Sequence, residues 1–409
     1  MKKICLQSDF ILTKDVIEWA AKMSENPEFC QTGDIRFVDE KEENPDYYVV
    51  INHVDNFKNP EKTILFYIEP WCYSYYQNWG VKTWKKRDDL LQVRDHNLAL
   101  NLFDWQLPKT ITQLRTESIQ KTKTISTITS CKFFDPGHVV RIKLIHYLES
   151  ENFPIDIYGY ANNFRFNQYK GCLSSSEKDN GLYPYKYYIQ CENNSENNYA
   201  TEKLWDGILS ECVVFYWGCP NIEDYIDSAC IIRLHSSNNQ RNLQIINEAI
   251  ENNEWEKRID RIRVQKRKLL DNFNLFNIVK NVISWKEEKP IDICIRCSEE
   301  TGFKKIFNQI RCNSLYDRCR TIYVYITGID RFTIENKKVQ VFHLSPFVNE
   351  TDSKIFLFFK SNHLQNNTNV IFANVCGGDI DLTHWEEFNY DKTPDITQWL
   401  WTSNDNNIN

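Results

Sequence analysis

Residues 185–227 read YKYYIQCENNSENNYATEKLWDGILSECVVFYWGCPNIEDYID, and this stretch decides the fold. Tyr185 to Cys191 is an apolar, aromatic run of strand length. An Asn-rich loop from Glu192 to Tyr199 leads to Thr201, a good N-cap for a helix in which Leu204, Trp205, Ile208 and Leu209 recur at helical spacing. Val213 to Trp217 follows as a buried-type strand, closed by Gly218-Cys219-Pro220. Strand, loop, helix and strand form a βαβ unit, whose crossover is right-handed in nearly all cases. In such units a ligand sits outside the carboxyl ends of the strands, where the helix begins. Glu202 and Lys203 fall in that first turn, where unpaired N–H groups and the helix dipole favour an anion. Lys203 there suits a phosphate and Glu202 a pair of sugar hydroxyls, although the same three residues also fit a plain capped helix with Lys203 in solvent.

The run EN-x5-YxTEKLWD followed by VVFYWGCPNIEDY resembles the donor-binding signature of the family 10 glycosyltransferases, the α1,3/α1,4-fucosyltransferases. The matching positions are Lys186, Asn193, Tyr199, Thr201, Glu202 and Lys203, together with Tyr185 and the Gly218-x-Pro220 turn. The resemblance is clear over about 130–285, weaker over 1–125 and absent beyond 290. It also takes in the pattern S-C-x6-H-x2-R-x5-YL upstream, in which an Arg of the family reaches the nucleotide phosphates; Arg141 is the matching residue. Without the resemblance, a surface salt bridge describes Arg141 as well.

With 409 residues, two to three domains are expected, and 42% hydrophobic with 14% aromatic content indicates real cores. The net charge of −7 argues against a nucleic-acid partner. No apolar run approaches membrane length, and charges at Asp9, Lys14, Asp15 and Glu18 interrupt any signal-peptide core. The expectation is a protein with no transmembrane segment in the cytoplasm (host cytoplasm if viral), resembling a soluble bacterial-type or viral member of the family. Fourteen scattered cysteines, mostly within apolar runs, read as buried free thiols.

The expected fold is α/β and GT-B-like: two facing Rossmann-like domains plus a small C-terminal α/β domain. The expected domains are an acceptor-side domain over 1–125, a nucleotide-sugar donor domain over 126–288 and an accessory domain of unknown role over 289–409. In the first, Lys3–Leu6, Tyr47–Ile51 and Thr63–Ile68 read as strands and Asp15–Met23 as a helix. The third strand ends in Glu69-Pro70-Trp71, with Tyr73 close behind, so a carboxylate sits at a strand end beside sugar-stacking aromatics. The resemblance makes Glu69 the catalytic base; Trp71 and Tyr73 are candidate acceptor contacts. Residues 98–107 are apolar and fit the core or the cleft, and 106–124 reads as a linker. In the second domain 124–129 is a strand, 139–148 a helix, 153–158 and 227–234 strands, and 243–281 one or two long helices expected to pack back on the first domain.

The tail shows five candidate strands: 291–295, 321–326, 339–344, 355–359 and 370–375. Cys294-x2-Cys297 with Cys312 and Cys319 has the wrong second spacing for a zinc ribbon. Asp379-Ile380-Asp381 after a strand and Gly377-Gly378 is the arrangement in which hard carboxylate ligands hold Mg²⁺ or Mn²⁺ on a diphosphate.

The resemblance implies an inverting enzyme moving L-fucose from GDP-fucose to a hydroxyl of an oligosaccharide or glycoprotein. Glu69 removes the proton; Arg141, Lys203 and the helix end hold the diphosphate. No cofactor is then required, and a divalent cation (Mn²⁺ or Mg²⁺) would be at most stimulatory. The alternatives are the same fold with another GDP-deoxyhexose or amino sugar, and a non-catalytic carbohydrate-binding relic.

Overall fold

The computed structural model describes residues 1–8, 13–54, 56–70, 87, 89–94 and 103–287; beyond these it describes 291–297, 319–326, 339–343, 369–375 and helical positions at 303, 304, 307 and 310. Trp71, Tyr73, Asp379, Asp381 and the strand expected at 355–359 lie outside the described residues. The chain divides into two compact units, Met1–Asn277 and Ile278–Asn409.

The larger unit carries two six-stranded sheets. The first contains β1 (Lys2–Ser8), β2 (Gln31–Thr32), β3 (Ile35–Val38), β4 (Tyr47–Ile51), β5 (Thr63–Phe66) and β6 (Gln92–Arg94), in the order β2-β3-β1-β4-β5-β6. All its pairs are parallel except β2–β3. Its central strands β1, β4 and β5 carry apolar runs buried in the core; Ile4, Leu6, Val49, Ile64 and Phe66 are each 0% exposed. Helix α1 (Thr13–Lys22) follows β1 and packs on it. Between 106 and 124, where a bare linker was expected, lies α2 (Ile111–Thr116). Its cause is a capping box: Gln113 N donates to Thr110 Oγ1 and Thr110 N donates to Gln113 Oε1.

The second sheet contains β7 (Lys123–Thr129), β8 (Asp156–Gly159), β9 (Tyr169–Gly171), β10 (Tyr185–Cys191), β11 (Val213–Trp217) and β12 (Ile231–Arg233). Every pair is parallel, in the order β12-β11-β10-β7-β8-β9. Counted within the sheet this is 3-2-1-4-5-6, the doubly wound dinucleotide-binding order, so the switch point lies between β7 and β10. Helix α3 (Pro136–Ser150) leaves the carboxyl end of β7, and α4 (Glu202–Leu209) joins β10 to β11. The apolar face anticipated for α4 is fully buried: Leu204, Trp205, Ile208 and Leu209 are 0% exposed.

Residues 243–281 hold three helices rather than one or two: α5 (Asn239–Glu251), α6 (Glu254–Asn272) and α7 (Leu275–Glu287). Asn253, in the left-handed region at φ 53°, makes the first break. Phe276 at the start of α7 meets Phe37 of β3 edge-on, with ring centroids 4.6 Å apart, so the end of the second lobe does fold back on the first.

The smaller unit holds β13 (Ile291–Cys297), β14 (Cys319–Ile326), β15 (Val339–His343) and β16 (Asn369–Val375) in one all-parallel sheet of order β15-β14-β13-β16. This 3-2-1-4 sequence is again doubly wound, with its switch point between β13 and β16. Ile293, Ile295, Ile322 and Val324 form its apolar centre.

Candidate active site

The carboxyl end of β10 runs directly into Glu192, a carboxylate with 0% exposure. It is not wasted there. Thr201 N and Oγ1 donate to its two oxygens at 3.0 and 2.6 Å, and the Tyr216 hydroxyl donates at 3.5 Å. Glu192 thereby fixes the N-cap of α4 to the end of β10. Burial pushes its carboxyl above the ordinary range, with Lys203 and the Thr201 hydrogen bond opposing. Thr201 caps the helix by accepting from Lys203 N.

Lys203 turns back over this cap. Its Nζ lies 3.0 Å from Thr201 Oγ1, 3.2 Å from a Glu202 oxygen and 3.9 Å from Glu192. Burial alone would depress the ammonium, but Glu202 and Glu192 overcome that and raise it, so Lys203 is firmly cationic. Burial likewise lifts the Glu202 carboxyl, yet Lys203 and Lys178 more than offset it and hold Glu202 below the usual range. The helix start therefore presents one cation, one carboxylate and free-end N–H groups to the same space.

That space is a cavity of about 910 Å³. Asn193, Tyr199, Thr201, Glu202 and Lys203 line it from the second lobe, and Glu69 lines it from the first. Glu69 reaches it because the loop after β5 is tied down. Asn52, at φ 65° and 0% exposed, donates its N–H to Phe66 O and accepts from Ile68 N at 3.0 Å through its carboxamide oxygen. Glu69 follows one residue later. Its charge is felt at Tyr199, whose hydroxyl is pushed far up by burial and then by Glu192 and Glu69.

Two of the expected donor residues sit elsewhere. Arg141 belongs to the second turn of α3, because Pro136 and the Asp135 cap start the helix earlier than its apolar spacing suggested. Its guanidinium is buried at 2% exposure, donating to Thr129 Oγ1 at 3.1 Å and to Cys191 O at 3.2 Å. It thus clamps the ends of β7 and β10 at the switch point, behind the cavity wall. Its charge still reaches the site, where it acts on Lys203 and on His138, which burial, Arg141 and nearby lysines push down to about 3 and keep neutral. Lys186 points to the far side, pairing with Glu256 and lying over the Trp255 ring at 5.4 Å. The close fit of α3 against β10 depends on Gly137: a Cβ there would come 1.6 Å from Glu192 O.

Sequence reasoning overlooked Glu192, Asn52 and Asp104. The signal for Glu192 was available, since an acid directly following a buried strand must find partners. Asp104 lies on a strap, residues 103–108, that crosses α4. Phe103 packs edge-on against Trp205 with centroids 5.6 Å apart, and Gln106 N donates to Asp206 Oδ1 at 2.9 Å. Asp206 is itself 0% exposed and paired with Lys178 at 2.6 Å.

Two parallel-sheet lobes thus place a cationic helix start and carboxylates of both lobes around one cavity, an arrangement suited to a nucleoside-diphosphate ligand. Residues 118–258 match the model of glycosyltransferase family 10 (fucosyltransferase) C-term. Among solved structures the chain is similar to an α1,3-fucosyltransferase with GDP, at 16% identity and TM-score 0.39, covering 63% of this chain and 81% of that one. It is similar to an α1,3-fucosyltransferase with GDP-fucose at 15% identity and TM-score 0.37, covering 67% and 92%. A pneumococcal O-GlcNAc transferase, GtfA, in complex with UDP and GlcNAc is similar at 17% identity and TM-score 0.27, covering 42% and 37%. No curated protein matches the sequence. No described helix is long and apolar enough to cross a membrane.

Proposed function

We propose that the protein transfers L-fucose from GDP-fucose to a hydroxyl of a glycan acceptor, with inversion at the sugar carbon, as an α1,3-fucosyltransferase-like enzyme. The observation that carries this reading is the single cavity that collects Glu202 and Lys203 from the family 10 lobe and Glu69 from the other. The acceptor hydroxyl gives its proton to the Glu69 carboxylate as its oxygen bonds to C1 of the sugar. The C1–O bond to the diphosphate breaks, and the bonding pair leaves with GDP. Lys203 and the N–H groups of α4 balance the charge that grows on the diphosphate, with Arg141 adding positive potential from behind. One displacement by a single base turns a β-linked donor into an α-linked product. A cation is not needed to hold the diphosphate in this scheme.

The test is transfer from a panel of GDP-sugars to β-galactoside and N-acetylglucosamine-containing oligosaccharides, with the product anomer read by NMR. An α-fucoside formed from GDP-fucose in the presence of EDTA is expected. A β-linked product, preference for another GDP-sugar, or activity restored only by Mn²⁺ would overturn the corresponding part of the proposal.

A further inference from the structure

We propose that Asp104 is a donor-sugar contact that works with Glu202 as a proton-sharing pair, Asp104 donating and Glu202 accepting hydrogen bonds at hydroxyls of the transferred sugar. This inference rests on the fucosyl-transfer reading and adds a residue outside the family 10 match at 118–258.

The placement comes from the strap. Phe103, Trp105 and Leu107 alternate into the core at 1, 0 and 0% exposure, which turns Asp104 to the other side. Trp105 Nε1 donates to Lys109 O at 2.9 Å, and Gln106 N is held by Asp206, one turn along α4 from Glu202. The strap on either side of Asp104 is thereby tied down, and Asp104 lines the same cavity as Glu202, Lys203 and Glu69. A half-buried carboxyl held this way beside a second carboxyl cannot ionise independently of it.

The surroundings decide which of the two keeps the proton. Facing Asp104 are Glu202, Lys203 and Asp206 of α4, Lys178 from the turn at 178–181, and Lys22 of α1. Glu202 is gripped by Lys203 and Lys178 and stays charged. Burial, then the charges of Glu202 and Asp206, push Asp104 up to about 8 against the two lysines. At neutral pH the pair is one acid and one carboxylate, a donor and an acceptor side by side. Paired carboxyls whose environments drive their proton affinities apart are how sites obtain both functions from one residue type. Adjacent sugar hydroxyls, each both donor and acceptor, match such a pair. Binding a diphosphate nearby adds negative charge and favours the proton on Asp104 further.

The experiment is the pH profile of kcat/KM for GDP-fucose in wild type, Asp104→Asn and Asp104→Ala, with GDP affinity by calorimetry as the check on folding. Asp104→Ala should lower kcat/KM at pH 6.5 by about 10- to 100-fold, the worth of one hydrogen bond to a charged or buried partner. Asp104→Asn keeps an N–H donor and should recover part of that loss. In wild type kcat/KM should fall above about pH 8 as Asp104 loses its proton. That alkaline limb should vanish in Asp104→Asn. The stability of the folded state should follow the same sense. Asp104 titrates higher folded than its ordinary 3.8, so its stabilising share is complete at low pH and is lost as pH rises through about 8; the asparagine variant should not show this loss. An alkaline limb unchanged in Asp104→Asn, or full kcat/KM in Asp104→Ala, overturns the proposal. Wild-type protein inactive with every GDP-sugar would instead remove the reading beneath it.

Discussion

Replacing Glu69 by glutamine is expected to lower kcat by about 10²- to 10⁴-fold while GDP binds within twofold of wild type. The amide fills the same volume but cannot take a proton, so the acceptor hydroxyl must attack C1 in its neutral, weakly nucleophilic form. GDP affinity should hold because the groups proposed to grip the diphosphate all belong to the second lobe, whereas Glu69 comes from the loop after β5. The measurement is steady-state transfer alongside calorimetric titration with GDP. Normal turnover by Glu69→Gln would show that another group removes the proton. A parallel collapse of GDP binding would show that Glu69 belongs to the donor side.

Replacing Lys203 by alanine should act on the other half of the chemistry. Charge-assisted hydrogen bonds contribute about 1.5–3 kcal/mol, so GDP affinity should fall by about 10- to 150-fold. The same change should weaken the fold, for Lys203 is the cation nearest to two carboxylates, Glu192 and Glu202. The pH dependence has a definite sign. Glu192 already titrates above its ordinary value, so its contribution is favourable at low pH and declines as pH rises. Without Lys203 it should be driven higher still. Glu202, held low by Lys203, contributes above its unfolded range, and that contribution should shrink. Both effects point the same way: the difference in thermal midpoint between wild type and Lys203→Ala should widen from pH 5 to pH 8. A constant difference would mean that the lysine does not compensate these carboxylates.

The donor lobe was legible where short-range chemistry decides structure. The strands Tyr185–Cys191 and Val213–Trp217 were read to the residue, because each is an apolar run closed by a polar loop or by Gly218-x-Pro220. Thr201 as N-cap and the buried face of α4 followed from side-chain type and spacing alone. Short edge strands were not legible: β6 is Gln92-Val93-Arg94 and β9 is Tyr169-Lys170-Gly171, neither with an apolar run to mark it. The start of α3 was placed late because Pro136 and Gly137 are not periodic apolar residues, although Pro belongs at the first position of a helix.

Within the site, the dividing line was distance along the chain. Glu202 and Lys203 reach the cavity through their own helix start, which a local pattern encodes. The placement of Arg141 depends on Thr129 and Cys191, the second 50 residues away, and that of Lys186 on Glu256, 70 residues away. Asp104 meets α4 through a contact spanning 100 residues between Gln106 and Asp206. No local pattern carries such pairings, and they require the folded lobes to be seen together.

The most direct measurement is a crystal structure of the protein with GDP and a glycan acceptor. The diphosphate is expected within about 3 Å of Lys203 Nζ and the first N–H groups of α4, with the Glu69 carboxylate at hydrogen-bond distance from an acceptor hydroxyl. GDP bound away from the start of α4, or Glu69 turned out of the cavity it shares with Lys203, would contradict the proposed chemistry.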